Sequence, residues 1–243
     1  MILECDIGNT RCKWRVLKDD TVVVRGKFLN EEGFESWFEL ENIERVKVCC
    51  VAKTSVRDEL EAVLASKGLK PEYASTSQAV AGVVNAYENF SVLGIDRWSA
   101  IVAAYNHVAN SVLVVDAGSA LTIDLVEEAG RHFGGYIIPG FGLMKSSLLS
   151  DTGGVRFDEA VAAKGLAFGR STVDAVNAGV LSAQAGAVLL AVQEAEQLVG
   201  AGFPIILTGG DAGLMREHLL ARTTYEMKLM PDLVMDGLRW LLP

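Results

Sequence analysis

Asp6, Gly8, Asn9, Thr10 and Lys13 stand in a stretch, MILECDIGNTRCKWRVL, whose polar residues interrupt two strand-like runs. Before the interruption Ile2, Leu3 and Cys5 are apolar; after it Cys12, Trp14 and Val16 alternate with Arg11, Lys13 and Arg15, the period of two expected of a half-buried strand. The pattern predicts a strand, a tight turn and a second strand. Gly8 has access to positive φ and lets backbone N–H groups approach a ligand, while Asn9 and Thr10 add short polar side chains, a combination suited to an anion. Asp6 beside such a cradle would repel a phosphate unless Mg²⁺, held directly or through its waters, lies between the two. Lys13 brings positive charge to the same phosphates.

One such turn reads equally well as an ordinary hairpin. A second copy changes the reading. Residues 111–126, SVLVVDAGSALTIDLV, repeat an apolar strand, then Asp116, Gly118, Ser119 and Thr122, then an alternating strand, with Asp116 110 positions after Asp6. Repetition at that spacing predicts a duplicated α/β domain in which a phosphate turn from each half faces a shared cleft. Neither copy is a Walker A loop, because neither has Gly-Lys-Ser/Thr and neither turn is predicted to lead into a helix.

Between the two turns, Gly94-Ile95-Asp96-Arg97 directly precedes Trp98, Ile101, Val102, Tyr105 and Val108, which recur at helical spacing. Asp96 at that helix start reads either as an acid placed favourably for the macrodipole or as a general base for an attacking hydroxyl. Phosphoryl transfer through a loose transition state needs proton removal only late, so placement matters more than basicity. Arg97 is either a surface ion-pair partner or a fork of donors for a substrate carboxylate or a transferring phosphoryl group. Later, Thr208, Gly209 and Gly210 end the strand PIILTGGD ahead of a helix, where bare backbone would let a base or ribose lie flat.

The elements that must hold these residues follow from the same patterns. TVVVRGKFL reads as a third strand, with Asn30 as N-cap of a helix through Trp37 and Leu40. RVKVCCVA is a buried strand, and Thr54 or Ser55 caps a helix that Gly68 ends just before Pro71. Residues 82–93 are irregular. Ser171 and Thr172 open a long helix, and a helix from Pro231 to Leu242 closes the second lobe. The division expected is 1–110 and 111–243, each half long enough to bury its own core.

A net charge of −9 and a pI near 4.9 argue against a nucleic-acid surface and for a small partner. Cys5, Cys12, Cys49 and Cys50 form no C-x-x-C pair and fall in apolar patterns, as buried free thiols of a reducing compartment do. The N-terminal residues lack a basic leader, and no uninterrupted apolar run approaches 18 residues, so a cytoplasmic location without membrane contact is expected. His107, His132 and His218 lack metal-ligand spacing.

Assembled in order, DIGNTRCK at 6–13, GIDR at 94–97, DAGSALT at 116–122, GGYIIPG at 134–140, FGRST at 168–172 and LTGG at 207–210 resemble the type III pantothenate kinase family. The resemblance implies two duplicated ribonuclease H-like (actin-like) lobes, each a mixed five-stranded sheet with flanking helices, and an ATP cleft between them. It implies transfer of the ATP γ-phosphoryl group to pantothenate, the first step of coenzyme A biosynthesis. ATP phosphates would then be held by Asp6, Ile7, Gly8, Asn9, Thr10, Arg11, Cys12 and Lys13 with Mg²⁺, and further ATP contacts would come from Ser119, Thr208, Gly209 and Gly210. Asp96 would be the base; Tyr87, Gly94, Ile95, Asp96, Arg97 and Thr172 would contact pantothenate. Asp116 would bind a monovalent cation, K⁺ or NH₄⁺, in a homodimer. Ser119 departs from the family's more frequent Thr and keeps the hydroxyl. A phosphohydrolase or another small-molecule kinase of this fold, and a nucleotide-sensing regulator without catalysis, are the alternative readings.

Overall fold

The structure, a computed structural model, describes residues 1–34, 41–151 and 168–243. Its first sheet is built from β1 (Ile2–Ile7), β2 (Arg11–Lys18), β3 (Thr21–Leu29), β4 (Arg45–Cys50) and β5 (Pro71–Tyr73), in the spatial order β3-β2-β1-β4-β5. β1 pairs antiparallel with β2 and parallel with β4, which puts it at the centre of a mixed sheet. Asp19 and Asp20, at φ 49° and 60°, make the β2–β3 turn in the left-handed geometry that matches strand twist. Alternation sends Leu3, Cys5, Ile7, Cys12, Val16, Val46 and Val48 to one face, where they form a core with Leu60 and Leu64 of α1 (Thr54–Ser66).

The opposite face is charged and yet covered. Glu4 lies between Arg15 and Lys47 in register, all three buried, and Arg15 donates to Glu4 at 2.7 Å and to Asp236 at 2.6 Å. The sheet is therefore enclosed on both sides, where alternation predicted a half-buried strand; ion pairing lets the polar positions go inside. After α1, the short strands β6 (Ala79–Val80) and β7 (Val83–Val84) precede α2 (Ile95–Val108).

The second sheet repeats the plan with β8 (Val112–Ala117), β9 (Ala120–Val126), β10 (His132–Pro139), β11 (Ile205–Thr208) and β12 (Met227–Leu229), in the order β10-β9-β8-β11-β12. Five strands in the same order and sense bear out the duplication read from the two aspartate turns. Helix α3 (Phe141–Asp151) follows β10; α4 (Thr172–Val199) and α5 (Ala212–Leu220) bury Ala185, Val188, Val192, Met215 and Leu219 against Leu113, Val115, Leu121 and Ile123. By length and composition α4 is apolar enough to cross a membrane, but this packing makes it a core helix. The last helix is α6 (Leu233–Leu241).

Two compact units result, Met1–His107 with Asp232–Pro243, and Val108–Pro231. The last helix thus belongs with the first sheet, not with the second lobe that precedes it in sequence. Asp236 pairs with Arg15, and Gly237 lies so close to Ser99 of α2 that a Cβ there would meet the Ser99 Oγ at 2.2 Å. Two smaller expectations also change. The residue capping α1 is Lys53, with no side-chain bond, although Gly68 ends that helix at φ 72° as expected. Asn30 opens a single 3₁₀ turn, Asn30–Glu32, and the helix expected through Trp37 and Leu40 falls at 35–40, outside the described residues.

Candidate active site

In the first unit the three-residue connection between β1 and β2, Gly8 to Thr10, is closed by Gly8 N–H donating to the Arg11 carbonyl at 3.0 Å. Asn9, Thr10 and Arg11 are exposed, whereas Ile7 and Cys12 are buried on the core side. Gly8 is not in the left-handed region, and a Cβ there would be in ordinary contact at 3.5 Å, so positive φ is not what this turn uses. The same holds for Gly118 in the second turn. Asp6, half-buried near the end of the central strand, lies beside Lys13 on β2 and Cys49 on β4, all three pointing to the charged face.

Asp96 stands in the first turn of α2 in the same unit. The Gly94 carbonyl accepts the first helical bond, from Trp98 N–H at 2.9 Å, and a Cβ on Gly94 would come within 2.7 Å of the Asp96 Oδ1. Glycine there leaves room for the carboxylate to fold back, where Oδ1 accepts the Arg97 N–H at 2.8 Å. Burial pushes the Cys49 thiol well above its ordinary range, and the charges of Asp6 and then Asp96 push it the same way. Asp6 and Asp96 therefore both lie within electrostatic reach of one buried thiol, which stays protonated near neutral pH. Burial also raises Cys5 and Cys12, so neither is a thiolate nucleophile near neutral pH.

Arg97, 6 % exposed, donates to the Tyr87 hydroxyl at 2.8 Å and sits over its ring. Buried Asn85 accepts the Tyr87 N–H at 3.0 Å and fixes the irregular segment from which Tyr87 projects. Gly94, Ile95, Asp96, Arg97 and Tyr87 thus form one group in the unit that also holds the 6–13 turn. The sequence patterns do not single out Asn85, Cys49 and Asn30 as site residues. A buried Asn in an irregular stretch was the one available signal, and burial is not visible before folding.

In the second unit Asp116 lies in register between Thr122 and Thr208. Thr208 is 1 % exposed, and its Oγ1 is buried without a hydrogen-bond partner among the described residues. Gly209, at φ 95°, closes on the same strand end: a Cβ there would meet Ala117 O and Asp116 Oδ1, both at 2.4 Å. Gly140 N–H donates to the Ser119 carbonyl at 3.0 Å, and no side chain fits at Gly140, where Gly118 O would be 2.2 Å from a Cβ. Ser119, Asp116, Thr208, Gly209 and Gly210 thus gather at the C-terminal ends of β8 and β11. Asp116 and the Thr208 hydroxyl are hard oxygen donors of the kind a group 1 or 2 cation takes. No cluster of three or more His, Cys, Asp or Glu able to hold a metal occurs among the described residues. Thr172 stands apart from this group: exposed at the start of α4, it lines an apolar hollow of about 390 Å³ with Met144, Leu148, Ala175, Val176, Gly179 and Val180.

Comparison with known proteins gives concordant matches. A family model described as type III pantothenate kinase matches residues 2–194. A Pseudomonas putida protein of that name is 36 % identical over 252 residues, covering 100 % of this chain and 99 % of its own length. One from Pseudomonas aeruginosa is 38 % identical over 247 residues, covering 98 % and 97 %. Among solved structures, a 2-dehydro-3-deoxygalactonokinase candidate from Sinorhizobium meliloti superposes with a TM-score of 0.57 at 14 % identity, covering 98 % of this chain and 97 % of that one. The ethanolamine utilization protein EutJ from Carboxydothermus hydrogenoformans reaches 0.56 at 15 %, covering 97 % and 88 %. These structural likenesses speak to fold alone.

Proposed function

The chain belongs to the type III pantothenate kinase family, and on that premise we propose that Asp96 is the general base of its phosphoryl transfer. It is an ATP-dependent kinase of coenzyme A biosynthesis with ATP and pantothenate as substrates, on two duplicated actin-like lobes. The pantothenate hydroxyl attacks the γ-phosphorus in line; the O–P bond to ADP breaks as the new O–P bond forms, and the hydroxyl proton passes to the Asp96 carboxylate. The observation carrying this reading is that Asp96 at the start of α2 and Asp6 near the end of β1 belong to one unit and both add their charge to what holds the buried Cys49 thiol up. One carboxylate serves the acceptor and the other the nucleotide. Arg97, held by Tyr87, suits the pantothenate carboxylate as a planar fork of donors.

At the phosphate turn, residues 6–13 would hold the triphosphate, and Asp6 would hold Mg²⁺. A single carboxylate fits that ion, which is usually bound by one or two carboxylates together with substrate phosphates. When bound it neutralises charge on the phosphoryl oxygens. Asp116 with the Thr208 hydroxyl would hold a monovalent cation, and Ser119, Gly209 and Gly210 would meet the nucleotide; support comes from the buried Thr208 Oγ1, without a partner among the described residues, beside Asp116 in register. A homodimer completes the reading, with Thr172 at the pantothenate side, supported by the apolar hollow of α3 and α4 and by the exposed Leu148 that lines it. The cytoplasm suits an enzyme whose cysteines are all free.

The test is incubation with ATP, Mg²⁺ and pantothenate, with and without K⁺, followed by detection of phosphopantothenate. Formation of that product with K⁺ stimulation is expected. ADP release independent of pantothenate would replace the kinase reading with a hydrolase.

A further inference from the structure

We propose that Asn30 is a positioning residue that sets the nucleotide phosphate turn from 22 residues away. Its main-chain N–H donates to the Thr10 carbonyl at 3.0 Å, and its side-chain Nδ2 donates to the Gly8 carbonyl at 2.8 Å. With Gly8 N–H on Arg11 O, three carbonyl oxygens of the turn are engaged by donors of the protein itself. A trans peptide points its N–H opposite its C=O, so holding the Gly8 carbonyl against Asn30 turns the Asn9 N–H the other way. A carbonyl oxygen facing a phosphate repels it, and an N–H attracts it. The orientation of this one peptide plane therefore decides the sign of the dipole an anion meets.

The residue is itself held in place. Leu29 N–H bonds to the Glu32 carboxylate at 3.0 Å, closing the 3₁₀ turn, and Gly33 leaves it at φ 74°. The Asn30 Oδ1 is buried with no partner among the described residues, so the donor end alone orients the amide. The duplicated unit supplies an independent comparison. Gly140 occupies the equivalent place after the third strand and makes the equivalent main-chain bond, to Ser119 O at 3.0 Å, but the Gly118 carbonyl would lie 2.2 Å from any Cβ there. One copy braces its turn by bare backbone, the other by an amide side chain; the position does the same work in both.

This inference rests on the nucleotide reading above, and its test separates the two. Binding of ATP, ADP and adenosine to the wild-type chain and to Asn30→Ala is measured by calorimetry, alongside steady-state kinetics and thermal unfolding. Loss of one such hydrogen bond should weaken ATP and ADP by about tenfold, leave adenosine and the KM for pantothenate within about twofold, and raise the KM for ATP more than it lowers kcat. Asn30→Asp, of equal size but with an oxygen facing the Gly8 carbonyl, should be at least as impaired for ATP and serves if the alanine variant unfolds. Equal losses for adenosine and ATP, or unchanged ATP affinity in a folded variant, overturn the proposal. A wild-type protein that forms no phosphopantothenate overturns the kinase reading instead.

Discussion

Asp6 and Asp96 bring their charges to bear on one buried thiol from different elements, and their substitutions should separate two jobs. Asp96→Asn keeps size and hydrogen bonding to the Arg97 N–H but cannot accept a proton, so kcat should fall by about 10² or more with the KM for ATP nearly constant. Asp6→Asn removes the charge proposed to engage Mg²⁺ and should weaken Mg-ATP by about tenfold; isothermal titration with and without Mg²⁺ reads it directly. Near-normal turnover of the first variant would take Asp96 out of the chemistry. An Mg²⁺-independent affinity in the second would remove the metal bridge. Gly94 belongs to the same scale, because a side chain there would collide with the Asp96 carboxylate at 2.7 Å. The motif Gly-Ile-Asp-Arg was readable from residue types, but the reason for its glycine was not: that reason is a contact made by a neighbour two residues on.

At the scale of elements, the sheet of the first unit depends on an ion-pair cluster. Glu4 is held above the usual carboxylate range because burial outweighs the attraction of Arg15; at Arg15 burial opposes the charge, but Glu4 and Asp236 together more than offset it. Glu4 with a raised folded pKa favours the folded state most at low pH, and that contribution is lost as pH rises through the folded value. Arg15→Met keeps volume and removes the partner, leaving a buried unpaired carboxylate. Urea unfolding should show a loss of about 3 kcal/mol at pH 8. The loss should shrink as pH falls toward 5, where Glu4 can take up a proton. A pH-independent difference would show that Glu4 is not the group left exposed to the penalty. Alternation of residues located the strands of this sheet, yet it put Arg15 on the polar side of a half-buried strand. Nothing in β1 and β2 alone announces that a helix more than two hundred residues later lies over them.

For the whole molecule, the consequence is that the end of the chain stabilises its beginning. Deleting residues 232–243 removes Leu233, Val234, Met235 and Leu238, all buried, and strips Arg15 of Asp236. At about 1.5–3 kcal/mol per buried side chain the loss should be on the order of 5 kcal/mol or more. Amide exchange should accelerate in β1 and β4, with β8 and β11 protected; the reverse pattern would place the helix with the second sheet. The sequence by itself determined the two turns, the duplicated strand order and the family, because each is written in local residue types and periods of two and 3.6 residues. Only the tertiary structure decided that Asp6 and Asp96 act on one buried thiol, that the Asn30 side chain bonds to the turn, and which unit owns the last helix. Those are contacts between residues far apart in the chain, set by burial and pairing after the sheets have formed, and no local pattern encodes them.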